Sequence, residues 1–130
     1  MASIFTKIVR GEIPSYKIAE NEDYFAFLDI NPNARGHTLC IPKKEVDKVL
    51  DLDRETYLGL MDFSRKVGKA IEEAVECQRV GITVIGLEVP HVHVHLIPLT
   101  SMVDATFQRK VSMEPAEFEA VAEAIRSKLE

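Results

Sequence analysis

Cysteine is scarce in this sequence: Cys40 and Cys77 are the only two. They lie far apart, and Cys40 sits inside the apolar run LCIP, where a buried reduced thiol is the ordinary state. No disulfide framework is expected. The chain also lacks any apolar run near the roughly 18 residues that cross a bilayer. Its opening, MASIFTKIVRGEIPS, is interrupted by Lys7 and Arg10 before a secretory-signal core could form, so a cytoplasmic location is expected. Basic charge is in deficit, with 16 Lys and Arg against 21 Asp and Glu and a formal net charge of −5. Without a basic block, no nucleic-acid or anionic-membrane partner is expected, although small nucleotides stay possible as ligands. Internal repeats, low-complexity tracts and linkers are missing as well.

What remains is enough for one domain over residues 1–130. The chain is 46% hydrophobic and 28% charged, which suits a soluble core-forming protein and not a disordered one. Ile4 to Val9 can form a short helix before Gly11 and Pro14. YKIAEN, YFAFLDIN and HTLCIP read as strands separated by turn residues, and their short connections suit antiparallel neighbours.

From about Asp53 to Glu76 the apolar period changes to three and four, through Leu60, Met61, Val67, Ile71 and Val75, which predicts the main helix with Asp53 as its N-cap. VGITVI and HVHVHLIP follow as a hairpin joined by GLEVP. Phe118, Val121, Ala122, Ile125 and Leu129 mark a final amphipathic helix with Pro115 near its start. The expected fold is α+β: an antiparallel sheet of about five strands, with a long helix and a C-terminal helix packed on one face. The other face then carries the site or is covered by a partner.

Three of the four histidines stand at 91, 93 and 95. A strand puts alternate residues on one face about 6.5 to 7 Å apart, so the imidazoles form a row while Val92, Val94 and Leu96 point into the core. Three imidazoles on one face of an apolar strand are costly unless used. Two chemistries use them. Neutral imidazoles can hold zinc or iron; alternatively one imidazole attacks phosphorus while its neighbours donate hydrogen bonds or protons. The row alone does not choose.

The surrounding residues carry a resemblance. GHTLCIPKKE at 36–45, GLEVPHVHVHLIPL at 86–99, the opening SIFTKIVRGEIPSYKI and the strand FLDINP resemble the histidine-triad (HIT) family, nearest its Hint-like bacterial members, over roughly residues 3–99. The resemblance implies a nucleotide hydrolase or transferase acting on nucleoside phosphoramidates, acyl-nucleotides or dinucleoside polyphosphates. His93 would be the nucleophile that takes up the nucleotidyl group. His95 would contact the phosphate and scissile bridge, His91 would hold the row in place, and His37 would stand beside it. Asp29 matches the acidic position that accepts from ribose hydroxyls, and Ile30 a wall of the base pocket.

A purine nucleotide or nucleotide conjugate as ligand, no cofactor and a homodimer of joined sheets are implied too. Departures limit the analogy. Ser3 and Thr6 stand where many bacterial relatives carry a Cys-x-x-Cys pair that helps bind structural zinc, so that metal is not expected. Leu87 replaces a Gln, a preceding loop is missing, and Glu88 stands where some branches carry a hydroxyl for the leaving group. A metal-dependent hydrolase with the triad as ligands, and a nucleotide-binding regulatory module of little activity, are the alternatives.

Overall fold

In the computed structural model, which describes residues 2–129, the chain runs α1 (Ile4–Val9), β1 (Lys17–Glu20), β2 (Tyr24–Leu28), β3 (Thr38–Pro42), α2 (Arg54–Ala74), β4 (Arg79–Thr83), β5 (Val94–Leu99) and α3 (Pro115–Arg126). Met1 and Glu130, the ends of the expected domain, lie outside the described residues. The five strands form one antiparallel sheet in the order β1-β2-β3-β5-β4. Short 3-10 turns at Val49–Asp51 and Met102–Ala105 complete the elements.

The helices start where the sequence supplies acceptors for their free N–H groups. Asp53 caps α2 by accepting from the Thr56 N–H at 3.1 Å. Pro115 occupies the first turn of α3, where its missing donor costs nothing. The α2 stripe (Leu60, Phe63, Val67, Ile71) and the α3 stripe (Phe118, Val121, Ala122, Ile125) bury against Ile18, Ala26, Leu28, Val94 and Leu96 of the sheet.

The long helix α2 and the C-terminal α3 pack together on one face, as expected, and α1 lies apart from them. The six-residue α1 places Phe5 on the opposite face, among Phe25, Phe27, Leu39 and Ile41. That aromatic patch is apolar and needs a cover.

The last hairpin is shorter than its sequence pattern. The backbone before Val94 is tied to loops: the His91 N–H donates to the Val89 carbonyl at 2.8 Å, and that of Val92 to the Val46 carbonyl at 2.7 Å. His91 and His93 therefore precede the strand, although the in-and-out alternation persists through them. With no ladder there, β4 ends at Thr83, opposite His95.

Pairing also gathers one end of the sheet. Leu39 lies opposite His95, and the Asp29 N–H donates to the His37 carbonyl at 3.0 Å. Gly36 turns the chain into His37 with φ +97°, and a Cβ there would lie 2.9 Å from Val75 Cγ2, so both conformation and space favour glycine.

Candidate active site

The hydrogen bonds among the four histidines fix which nitrogen carries each proton. A backbone N–H can only donate, so the Asn33 N–H at 3.0 Å leaves His37 Nδ1 bare and puts the proton on Nε2. That Nε2–H donates to His95 Nδ1 at 2.9 Å, and the His95 proton must then be on Nε2. A carbonyl can only accept. His93 Nδ1, 2.8 Å from the His91 carbonyl, is therefore the protonated nitrogen, and Nε2 keeps its lone pair.

His91 spends both nitrogens on the protein. Its Nε2–H donates to the Pro42 carbonyl at 2.8 Å, and its Nδ1 accepts from the Ser3 hydroxyl at 2.7 Å. These assignments describe neutral rings, the form that burial favours in His37, His91 and His95. Burial does so by penalising the charged ring. It pushes His37 down to about 3 and His95 to about 4, helped by the charges of neighbouring histidines and Lys110, and it lowers His91 as well.

Around the rings, Phe5 stands edge-on to His93 at 5.0 Å and to His91 at 5.9 Å. Asp29 Oδ1 accepts from the Asn31 N–H at 2.8 Å, the turn expected of an Asp before Ile-Asn-Pro, while its Oδ2 lies 3.6 Å from His37 Nε2. Burial raises the Asp29 carboxyl, offset in part by the Asn31 N–H and the charge of Lys110. Ile30 is 73% exposed and lies at the rim. Leu87 and Glu88 are exposed in the β4–β5 link, and the Glu88 charge still reaches Asp29. Next to His93 an open cleft of about 240 Å³ is walled by Val49, Leu50, Val84, Ile85 and Val92, with Asp47 and Lys48 also lining it.

The structure thus brings together His37, His95 and Asp29, with His93 beside them at 5.0 Å between rings. His91 turns away toward Ser3 and Pro42. Sequence reading missed Asn33, Phe107 and Lys110, which border the same group. Asn33 lies in NPNARG, where an Asn signals only a turn, and the other two follow the recognisable motifs.

Two metal readings can be tested on the donor sets. Ser3 and Thr6 present hydroxyls, and Glu45 Oε1 already accepts from the Ser3 N–H at 2.8 Å and the Thr6 hydroxyl at 2.6 Å. Zinc prefers thiolate and imidazole, so this corner does not fit a structural zinc. One ligand atom each from Asp29, His37 and His95 lies within 4.8 Å of the others. A cation there would have to break the His37–His95 hydrogen bond.

The profile of the HIT domain family matches residues 10–102. The chain is similar to the adenosine 5'-monophosphoramidase HNT1 of Saccharomyces cerevisiae, 40% identical over 75% of this chain and 62% of the yeast protein. It is similar to the adenosine 5'-monophosphoramidase hnt1 of Schizosaccharomyces pombe, 42% identical over 75% and 74% of the two chains. Among solved structures, a HIT-like protein of Bartonella henselae superposes with a TM-score of 0.86 at 33% identity, covering 98% of this chain and 96% of the other. A zinc-bound histidine-triad protein of Mycobacterium smegmatis gives a TM-score of 0.82 at 27% identity, covering 98% and 93%.

Proposed function

This chain belongs to the histidine-triad (HIT) domain family, and from that premise we propose that it is a nucleotide hydrolase acting on nucleoside phosphoramidates or related nucleotidyl substrates through a covalent intermediate on His93. The observation that carries the reading is the free lone pair of His93 Nε2, fixed by the Nδ1–H bond to the His91 carbonyl. Nε2 attacks phosphorus and forms a P–N bond while the bond to the leaving group breaks. Water then attacks the nucleotidyl-histidine, releasing the nucleoside monophosphate and restoring the imidazole.

His95 is neutral and carries its proton on Nε2, so it serves as a hydrogen-bond donor to phosphate oxygen. It is a poor proton source: losing that proton would create an imidazolate. An amine leaving group therefore takes its proton from solvent. Asp29 offers acceptors for the ribose diol, Ile30 borders the base, and the largely aliphatic cleft beside His93, with Asp47 and Lys48 also lining it, receives the leaving group. The relatives named as adenosine 5'-monophosphoramidases support the phosphoramidate class.

Rapid quenching with an adenosine phosphoramidate, followed by intact-mass analysis, should reveal one nucleotidyl adduct on His93. Turnover with no adduct on His93 would reject the covalent route. The grouping of Asp29, His37 and His95 favours one second reading, a metal-dependent hydrolase. Activity that survives exhaustive chelation removes that reading; activity lost and then restored by one equivalent of metal per chain establishes it.

A homodimer belongs to the same proposal. β4 is an edge strand with one neighbour, and Ile82 within it and Ile85 just after it are 52% and 51% exposed, a surface that closed twofold pairing would cover. Light scattering should give twice the chain mass at micromolar concentration. The site sits in a chain with no described helix long and apolar enough to cross a membrane, and a cytoplasmic enzyme without a cofactor is the setting proposed for it.

A further inference from the structure

The stretch from Thr100 to Val111 runs past the last family-matched residue, 102, yet it closes on the histidines. Asp104, 3% exposed, holds it in shape. The carboxylate accepts from the N–H groups of Thr100 at 2.9 Å and Ser101 at 3.1 Å, and from the Thr100 hydroxyl at 3.1 Å, and it pairs with Arg109.

Asn33, wholly buried, ties the segment to the site. Its Nδ2 donates to the Asp104 carbonyl at 2.9 Å, its Oδ1 accepts from the Lys110 ammonium at 2.8 Å, and its backbone N–H is the donor that sets the His37 tautomer. The Val111 N–H donates to the Pro32 carbonyl at 2.9 Å. Held between these ties, Phe107 adopts φ +63°, a conformation that bulky residues rarely take. Its ring meets His95 edge-on at 4.9 Å, and the Lys110 ammonium lies 4.9 Å from the same ring.

The charge balance of the site shows what this arrangement is for. The rings of His37, His91 and His95 are neutral near pH 7, while Asp29 and Glu88 are carboxyl groups. A nucleotide phosphate entering there brings further negative charge and meets no positive imidazole in that set. Lys110 is the cation whose charge Asp29, His37 and His95 all sense. It is exposed, its ammonium stands over the Phe107 ring, and it spends one of its three donors on Asn33, leaving two for a ligand.

We propose that Lys110 is a phosphate-binding residue of this site, posed by Phe107 and Asn33 at the edge of the His37–His95 pair. The inference rests on the reading of the site as nucleotide-binding. Sequence motifs did not point to it, because the residue lies outside the region that resembles the family.

Calorimetry with adenosine 5'-monophosphate and with adenosine tests it on wild type, Lys110→Met, Lys110→Gln and Lys110→Arg. Methionine keeps an apolar stem against Phe107 and removes the charge. The monophosphate should bind Lys110→Met and Lys110→Gln weaker by about tenfold or more, with a flatter salt dependence, while Lys110→Arg keeps most of the affinity. Adenosine affinity should change little, and unchanged melting temperatures would show that the fold is intact.

Monophosphate binding within about twofold of wild type in a folded Lys110→Met would overturn the assignment and leave Lys110 as a packing residue. Failure of the wild type to bind the monophosphate at all, together with no turnover of a phosphoramidate, would instead overturn the nucleotide reading, and this one with it.

Discussion

The two faces of the sheet are built from the same strands and use burial for opposite ends. On the α2 and α3 face, Val92, Val94 and Leu96 are at most 1% exposed among aliphatic and aromatic neighbours, and their burial stabilises the fold. On the other face, His91, His93 and His95 are at most 7% exposed. There burial costs stability, since each polar ring must be hydrogen-bonded, and what it yields is a set of imidazoles held by fixed hydrogen-bond partners. One residue of displacement along the chain separates the two uses. Substitutions in adjacent positions should therefore separate stability from activity.

The largest separation is expected at His93. His93→Ala deletes the attacking atom and leaves the Phe5 and His95 surroundings in place, so kcat should fall by about three orders of magnitude or more with little change in unfolding midpoint. A kcat within a few fold of wild type would break the comparison at its centre. Next to it, Leu96→Ala opens a hole under α2 and should destabilise the fold by about 2–5 kcal/mol in urea titrations. The folded fraction should retain near-normal kcat.

A smaller effect concerns pH. The unfolded chain takes up protons on its histidines near 6.5, whereas folded His95 does so only near 4 and His37 near 3. Below pH 6.5 the unfolded state thus binds more protons, and stability falls as pH falls. The slope is about 1.4 kcal/mol per pH unit for each ring, ending near 4 for His95 and near 3 for His37. Melting curves between about pH 6 and 4.5 read this term above the titration of the lowered carboxylates, together with a same-sign contribution from the lowered His91 and an opposite one from the raised Asp29. Replacing both rings with Gln should flatten the dependence in that window. An equally steep slope in the double variant would show that other groups carry it.

How much of this was legible in the sequence follows the same division. The helix face was readable because period and capping are local: Asp53, the Leu60 to Ile71 stripe and Pro115 stand where their patterns place them. The triad was readable too, with His37 and Asp29 beside it, because its motif is dense. The proton assignments were not, since they depend on the Asn33 N–H and on the carbonyls of His91 and Pro42, contacts set by loop geometry. Three histidines in one row was an approximation: His91 turns to Ser3, because the backbone before Val94 is tied to loops and not to a strand. Phe107 and Lys110 follow a run of turn residues with no periodic signal, and only the tertiary ties of Asp104 and Asn33 bring them to the site.

The smallest expected effect tests whether the rim shapes substrate choice. Glu88 is exposed, so its interaction with a leaving group is screened; like charges at 4 Å cost about 1 kcal/mol in water and several times more beside low-dielectric walls. The neighbouring Leu87 is 91% exposed and provides no donor, and the cleft beyond His93 is mostly aliphatic. Lys48 and Asp47 also line that cleft with opposite charges, so a long polyphosphate leaving group gains one exposed, screened cation there and is repelled by the Glu88 carboxylate, whereas an amine or apolar group is not repelled. Purine nucleoside phosphoramidates should therefore exceed dinucleoside polyphosphates in kcat/KM. Glu88→Gln should narrow the gap by no more than about fivefold, the equivalent of one screened charge pair. Measuring kcat/KM for both substrate classes on wild type and variant decides the matter. An unchanged ratio in Glu88→Gln would assign selectivity to the base and ribose contacts alone, and a wild-type preference for polyphosphates would remove the rim from the account of specificity.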